Sequence, residues 1–263
     1  MSDDARTRAQ SGVTGSQTLM RGLDVIEAVA EGMTNLPDLS ARVGLSRSTA
    51  HRLASSLVER GYLAFEPRAG YRLASKVLEL GHLAQVQTNL LQVAQPHLEA
   101  LALATADTVH LGVLEGDQAL YLGKVPGRRR IMISSRVGER QPLTSTGLGK
   151  ALILDHSADY WRTRFAIEQA SVTARAQFEI WVARMRDYVA AGRAFDLEEN
   201  EDQIRCVAAP IRDASARIVA AISVSSAAQY MSDQRMRDLA ADVVGTADAI
   251  SHELGWRNPK RGE

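Results

Sequence analysis

Gly44-Leu45-Ser46-Arg47-Ser48-Thr49-Ala50-His51-Arg52-Leu53-Ala54-Ser55-Ser56-Leu57 is a tight turn that delivers a helix. Ser46 is placed to cap it, because its hydroxyl satisfies an orphan backbone donor of the first turn. Ala50, Leu53, Ala54 and Leu57 recur at helical spacing and make one apolar stripe. Ser48, His51, Arg52 and Ser55 then share the opposite face, with Arg47 on its flank. A helix carrying arginine and small hydroxyls near its N-terminus has what base-edge readout in a major groove requires. An ordinary solvated helix face is the competing reading, so the flanking sequence has to decide.

Upstream, Leu19, Leu23, Ile26, Val29 and Ala30 recur at helical spacing from Gln17 and stop near Gly32. Asn35-Leu36-Pro37 opens a short second helix, where a proline lacks only a donor that has no partner there. Leu39 and Val43 form its apolar side, and Gly44 supplies the left-handed residue that ends it. Helix, short helix, glycine turn, helix is the helix-turn-helix order. Downstream, Tyr62-Leu63-Ala64-Phe65 and Tyr71-Arg72-Leu73 flank Glu66-Pro67-Arg68-Ala69-Gly70, the pattern of a hairpin. A basic hairpin after such a helix is a wing, and Arg68 and Arg72 are set to meet phosphate, which fixes register without reading bases. The predicted DNA-contacting set is Ser46, Arg47, Ser48, Thr49, His51, Arg52, Arg68 and Arg72.

Charge supports this only locally. Residues 46–76 hold six basic side chains against two acidic ones, while the formal net charge of the 263 residues is zero. A hydrophobic share of 45% and a charged share of 24% describe a soluble globular chain long enough for two domains. One cysteine, Cys206, excludes an internal disulfide and fits a reducing compartment. With neither an apolar signal core nor a membrane-length apolar run, a cytoplasmic protein without a membrane partner is expected.

The layout follows. Residues 1–16 read as a disordered tail, 17–74 as the winged helix-turn-helix domain, 75–92 as a linker helix, 93–256 as a second domain and 257–263 as a tail. The 75–92 helix either covers its own domain or packs against a second subunit. In the second domain, helices are expected at 96–106, 146–154, twice within 158–191, and at 232–254. Strands are expected at 109–114, 119–125, 131–134, 206–211 and 218–226. Paired strands with helices outside them give an α+β domain with a largely antiparallel sheet.

Strand 218–225 has two kinds of face. Ile218, Ala220, Ile222 and Val224 suit a core, whereas Val219, Ala221, Ser223 and Ser225 leave room above the sheet. Ile204, Cys206, Ala208 and Pro210 share one face of the partner strand. The run Leu143-Thr144-Ser145-Thr146-Gly147-Leu148-Gly149-Lys150 leads into a helix start, where backbone donors favour an anion. Together these describe a cavity suited to a small carboxylate; separately, a strand edge and a core cysteine explain the same residues.

Catalytic patterns are lacking. Residues 144–151 imitate a phosphate loop, but Thr144 replaces its first glycine and Ala151 its final hydroxyl residue. There is no Gly-x-Ser-x-Gly or His-Glu-x-x-His, and histidines 51, 82, 97, 110, 156 and 252 lack metal spacing. Asp196, Glu198, Glu199, Glu201 and Asp202 read as a solvated acidic turn. No enzyme, metal or cofactor is expected, Cys206 without a histidine partner being a poor nucleophile.

The chain resembles the IclR family of bacterial transcriptional regulators over roughly residues 17–255. In the first domain the resemblance rests on residues 45–53, Arg60-Gly61-Tyr62-Leu63 and Tyr71-Arg72-Leu73. In the second it rests on Gly192, Asp196, Glu199, Cys206, Val207, Ala208, Ile211 and Asp213. Arg212 departs from the pattern, where an aromatic or histidine is usual, and Ala216 stands where glycine is common. The resemblance implies a GAF-like effector-binding domain, a homodimer or tetramer, and operator DNA binding governed by a small metabolite. It further implies effector contacts at Gly147, Leu148, Asp196, Cys206, Ser223 and Ser225, with Arg130 and Ile133 at positions that vary with ligand size. The expected effector is a small organic acid such as a sugar acid or keto acid, with Arg130 meeting its carboxylate and Asp196 its hydroxyls. An aromatic-acid-responsive activator, an enzyme using the same pocket, and an interaction scaffold built on the 75–92 helix are the alternatives.

Overall fold

The computed structural model describes residues 17–87, 89–131, 133–169 and 174–257. The tails expected at 1–16 and 257–263 lie outside these, except for Arg257. Contacts divide the chain into two compact units that part after Gln87. The helix expected over 75–92 is therefore two helices, α4 (Ser75–Gln87) in the first unit and α5 (Leu90–Thr105) in the second. Asn89 makes the break: its side-chain oxygen accepts from the Leu91 and Gln92 amides and so starts a new helix. Pro96, expected to open a helix, lies inside α5.

The first unit opens with α1 (Gln17–Ala30), α2 (Leu36–Arg42) and α3 (Arg47–Glu59), followed by the hairpin β1 (Leu63–Glu66) and β2 (Gly70–Leu73). Its core gathers Val25, Val29, Leu39, Ala54, Leu63 and Tyr71. Of the stripe expected on α1, only Val29 is buried; Ile26 is half-buried and Leu19, Leu23 and Ala30 are exposed, while the core takes Val25 and Ala28 beside Val29. Gly44, at φ +64°, ends α2 as expected. Gly70 (φ +82°) ties the wing down: a Cβ there would lie 2.1 Å from the Thr34 carbonyl oxygen, which accepts the Tyr71 amide at 2.7 Å.

The second unit is an antiparallel six-stranded sheet ordered β5-β4-β3-β8-β7-β6. Its strands are β3 (Thr108–Glu115), β4 (Gln118–Val125), β5 (Arg140–Gln141), β6 (Ala194–Leu197), β7 (Ile204–Arg212) and β8 (Ile218–Ala227). On one face α5 and α9 (Asp233–Glu253) cover Leu111, Val207, Ile211, Ile222 and Val224. On the other, α6 (Gly147–Leu152), α7 (Ala158–Glu168) and α8 (Ala174–Ala191) build a second core around Trp161, Phe165, Trp181 and Met185. No helix among the described residues is long and apolar enough to cross a membrane.

Three expectations about this sheet need correction. Of the strand expected at 131–134, residue 132 lies outside the described residues, and 131, 133 and 134 are not in a strand: the Ile133 and Ser135 carbonyls accept from Lys124 Nζ at 2.7 and 2.6 Å, so a side chain takes the place of a ladder partner. The alternation expected along 218–225 fails at its start. Ile211 pairs with Ala220 but Arg212 with Ile218, and this bulge turns Val219 toward the α5/α9 core and Ile218 toward the other. Strand β6 was not foreseen; it brings Asp196 to the sheet opposite Cys206.

Candidate functional site

The first unit presents a surface. Ser46 caps α3, its hydroxyl accepting from the Thr49 amide at 3.3 Å and lying 2.9 Å from Thr49 Oγ1. Those two hydroxyls therefore serve the helix start. Arg47, Ser48, His51, Arg52 and Ser55 are exposed on one face, as the spacing requires, while Ala50 and Ala54 anchor the other. Arg68 is exposed in the wing turn. Arg72 is exposed too, but its Nε donates to Glu66 at 2.9 Å, so this residue must exchange a carboxylate for any phosphate. A groove between α3 and the wing is lined by His51, Ser55, Arg68 and Phe65. Phe65, 52% exposed and tilted against Tyr71, went unnoticed because a hairpin aromatic reads as core.

The second unit encloses a cavity of about 80 Å³ on the α6 side of the sheet. Of the residues expected to meet the effector, Ile133, Leu148, Asp196, Cys206, Ser223 and Ser225 line it. Gly147 stands behind Cys206: a Cβ there would lie 2.5 Å from Sγ, so only glycine lets α6 start this close to β7. Arg130 is not brought to the cavity; it is exposed beyond the end of β4, and its neighbour Arg129 turns inward instead, to Asp107.

The anion expected at residues 143–150 is already supplied by the protein. The Leu143 and Thr144 amides donate to the Glu168 carboxylate at 3.0 and 2.8 Å, and the Gly149 amide is spent on Thr146 Oγ1 at 2.9 Å. Glu168, from α7, thus takes the amides of the loop before α6, and at the helix start itself the Gly147 amide goes to Cys206. Nor is the acidic stretch merely a solvated turn. Asp196 is buried and accepts the Glu199 amide at 2.8 Å, while Glu199 pairs with the buried Lys150 and, at 2.8 Å, with Arg184.

Sequence reading missed His110, Tyr121 and Lys150. His110 is 1% exposed, donates or accepts through Nε2 with Ser135 Oγ at 2.7 Å, and stacks on Tyr121 with centroids 4.7 Å apart. Its Nδ1 is buried without a hydrogen-bond partner among the described residues. The available signal was a pair of polar residues, His110 and Lys124, in otherwise apolar strands; the register sets them opposite each other.

Burial dominates the electrostatics. It pulls His110 down to about 3, with Lys124 adding to the effect, so the ring is neutral. Burial lifts the Asp196 carboxyl to about 6 against the opposing pull of Lys150 and of backbone donors at Asn200 and Glu198. The Cys206 thiol rises to about 12, through burial first and Asp196 second, although the Gly147 and Asp196 amides donate to it. Lys150 falls to about 8, burial outweighing Asp196 and Cys206. The result is a largely buried polar pocket offering hydroxyls, a carboxyl group and an imidazole to a polar guest. No cluster of three or more His, Cys, Asp or Glu able to hold a metal occurs among the described residues.

Two family models match the chain. One, for the C-terminal domain of the bacterial transcriptional regulator IclR, covers residues 82–252; the other, for the IclR helix-turn-helix domain, covers residues 18–67. The chain belongs to the IclR family. It is a DNA-binding transcriptional regulator. The DNA-binding transcriptional repressor YiaJ of Escherichia coli K12 is 33% identical over 251 residues, covering 92% of this chain and 89% of YiaJ. The regulator XynR of the same organism is 32% identical over 251 residues, covering 91% and 98%. The crystal structure of Pseudomonas aeruginosa HmgR matches with a TM-score of 0.80 at 22% identity over 92% of this chain and all of that one, and so supports the fold alone.

Proposed function

We propose that this regulator's hold on operator DNA is controlled by a small organic acid, such as a sugar acid or keto acid, taken up in the cavity of the second unit. The carrying observation is a polar pocket, lined by Asp196, Cys206, Ser223 and Ser225, in a unit separate from the exposed face of α3. Arg47, Ser48, His51 and Arg52 read bases, Ser46 and Thr49 hold the helix start, and Arg68, with Arg72 after release from Glu66, meets phosphate. Ser223 and Ser225 bind oxygens of the effector, Asp196 accepts its hydroxyls, and Ile133, Leu148 and Gly147 shape the wall. Arg130, being exposed, contributes no carboxylate contact in this reading.

Turnover of the bound acid is not part of the proposal. A thiol raised to about 12 is the opposite of an activated nucleophile, and a neutral buried imidazole does not pair with it. Two copies are expected to join through exposed leucines: Leu19 and Leu23 on α1, Leu78 and Leu83 on α4. A two-fold dimer of this kind would read two half-sites, in the cytoplasm where the DNA lies.

The test is thermal unfolding of the full chain against sugar acids, keto acids and aromatic acids. A ligand at about 100 times its dissociation constant adds about 2.7 kcal/mol and moves the midpoint by a few degrees. Stabilisation by one chemical class is expected; a midpoint unmoved by every acid refutes the effector assignment and leaves the DNA-binding activity standing.

A further inference from the structure

A second cavity, of about 150 Å³, lies beside the first. The two share Ser225 and Ile133 as walls. Their charges differ in sign. Glu139, Asp196 and Glu201 line the first, and no lysine or arginine does among the described residues. Lys124 and Arg129 line the second together with one carboxylate, Asp107. That carboxylate is fully engaged: it is wholly buried and accepts from Arg129, Arg235 and Ser226. The second chamber is therefore left with positive charge, and the first with negative.

We propose that the second chamber takes the carboxylate of the effector on Lys124 and Arg129, while the first takes a hydroxylated tail, so that the regulator selects an extended polyhydroxylated acid over a short keto acid. This rests on the effector reading above and deepens it.

Both cations are held in place before any ligand arrives. Arg129 is fixed by Asp107 at 3.0 Å and lies over the Tyr230 ring at 4.9 Å. Of the three donors of an ammonium group, Lys124 spends two on the Ile133 and Ser135 carbonyls and keeps one. A preset cation costs little to bind against, which is what makes such a contact count. Two hydroxyls, on Thr108 and Ser225, stand at the same level.

Thr108 and His110 alternate on one face of β3, opposite Ser225 and Ser223 of β8. Thr108 lines the second chamber and His110 the first. Lys124 stands at their boundary: it is opposite His110 in the strand register, and its Nζ donates to the carbonyl of Ser135, whose hydroxyl bonds His110 Nε2. From there the first chamber continues to Asp196 and Glu201. A two- or three-carbon keto acid held at Lys124 leaves that end empty. Arg129, not the adjacent Arg130, is the arginine that the backbone turns inward.

The experiment uses the full chain and four pairs of probes: gluconate, galactonate, mannonate and gulonate, each against the alditol with the same skeleton, with pyruvate as the short acid. Thermal unfolding and calorimetry read binding. At least one of these acids is expected to bind at least tenfold more tightly than its alditol and than pyruvate. Lys124→Gln should weaken that acid tenfold or more without changing alditol binding, and Arg130→Ala should leave both unchanged. The wild-type comparison needs no variant, so a poorly folding substitution does not protect the proposal. An alditol that binds as well as its acid overturns it, as does an acid indifferent to Lys124→Gln. Binding of pyruvate alone overturns it while keeping the effector reading, and so does the absence of binding by all four acids if another acid class binds. A DNA complex that ignores every bound acid overturns the effector reading instead.

Discussion

The face proposed to contact DNA and the cavity proposed for the effector are made in opposite ways. The face belongs to one helix and one turn, its working side chains are exposed, and each could be exchanged without disturbing the core beneath it. The cavity is assembled from β3, β4, β6, β7, β8 and α6, and its polar groups are buried among charges that depend on one another. The face therefore tolerates change in stability and is sensitive in binding, whereas the cavity is sensitive in both.

The contrast is sharpest at Lys150. This lysine is 1% exposed and held by Glu199 and the Phe195 carbonyl. Lys150→Met leaves Glu199 to Arg184 alone and removes the cation that pulls on Asp196, and should cost up to about 3–5 kcal/mol, the usual effect of breaking a buried pair; urea unfolding measures it. A loss below about 1 kcal/mol would mean that solvent already screens the network, and the contrast would fail.

Arg52→Ala should do the reverse. Discrimination between operator and non-operator DNA should fall by about 1–3 kcal/mol, with the unfolding midpoint unchanged. Competition binding measures the first and a thermal scan the second. A general weakening on every DNA, with a shallower salt dependence, would reassign Arg52 to phosphate.

Acid should separate two groups within the cavity. His110 has its folded value lowered from 6.5 to about 3, so the unfolded chain binds the extra proton and stability falls as pH drops through that window. Asp196 has its folded value raised from 3.8 to about 6, so the folded chain binds the extra proton and stability falls as pH rises from about 4 to 6. The two oppose each other between pH 4 and 6, each by up to about 1.4 kcal/mol per pH unit. His110→Gln should make the protein more resistant to acid, and Asp196→Asn should steepen its acid lability. Parallel pH profiles of unfolding for the two variants would contradict this.

The smallest effect lies away from both sites. Ala216 adopts φ +63° in the β7–β8 turn, where glycine is the less strained choice. Ala216→Gly should therefore stabilise the protein, by about 0.5–1 kcal/mol. Arg212, the other departure from the family pattern, is explained by the structure: it donates to both oxygens of Asp155, at 2.5 and 2.8 Å, and to the Ala216 carbonyl at 2.6 Å.

How far the sequence could be read follows from the same contrast. The periodicity of residues 46–57 gave the face of α3 almost residue by residue, because one helix settles which side chains share a side. In the cavity, the alternation of Ser223 and Ser225 and the position of Cys206 were legible for the same reason. What crossed between elements was not. No local pattern says that Glu168 would reach back to the amides of 143 and 144, that Lys124 would hold the backbone of 133–135, or that Arg129 rather than Arg130 would turn inward. The apolar residues of α1 illustrate the limit from the other side: Leu19, Leu23, Ile26, Val29 and Ala30 recur at helical spacing, but packing against α2, α3 and the hairpin buries Val25, Ala28 and Val29.

The most direct test joins the two regions. The regulator's own operator, selected from genomic fragments, is bound at fixed salt with and without an acid that raises the unfolding midpoint. The same pair of measurements is repeated with Ser223→Val, a change confined to the cavity wall. The acid is expected to alter the DNA dissociation constant of the wild type at least tenfold, and that of Ser223→Val little, while both bind DNA equally well in its absence. An acid that binds and stabilises the wild type yet leaves its DNA affinity unchanged would contradict control through the cavity.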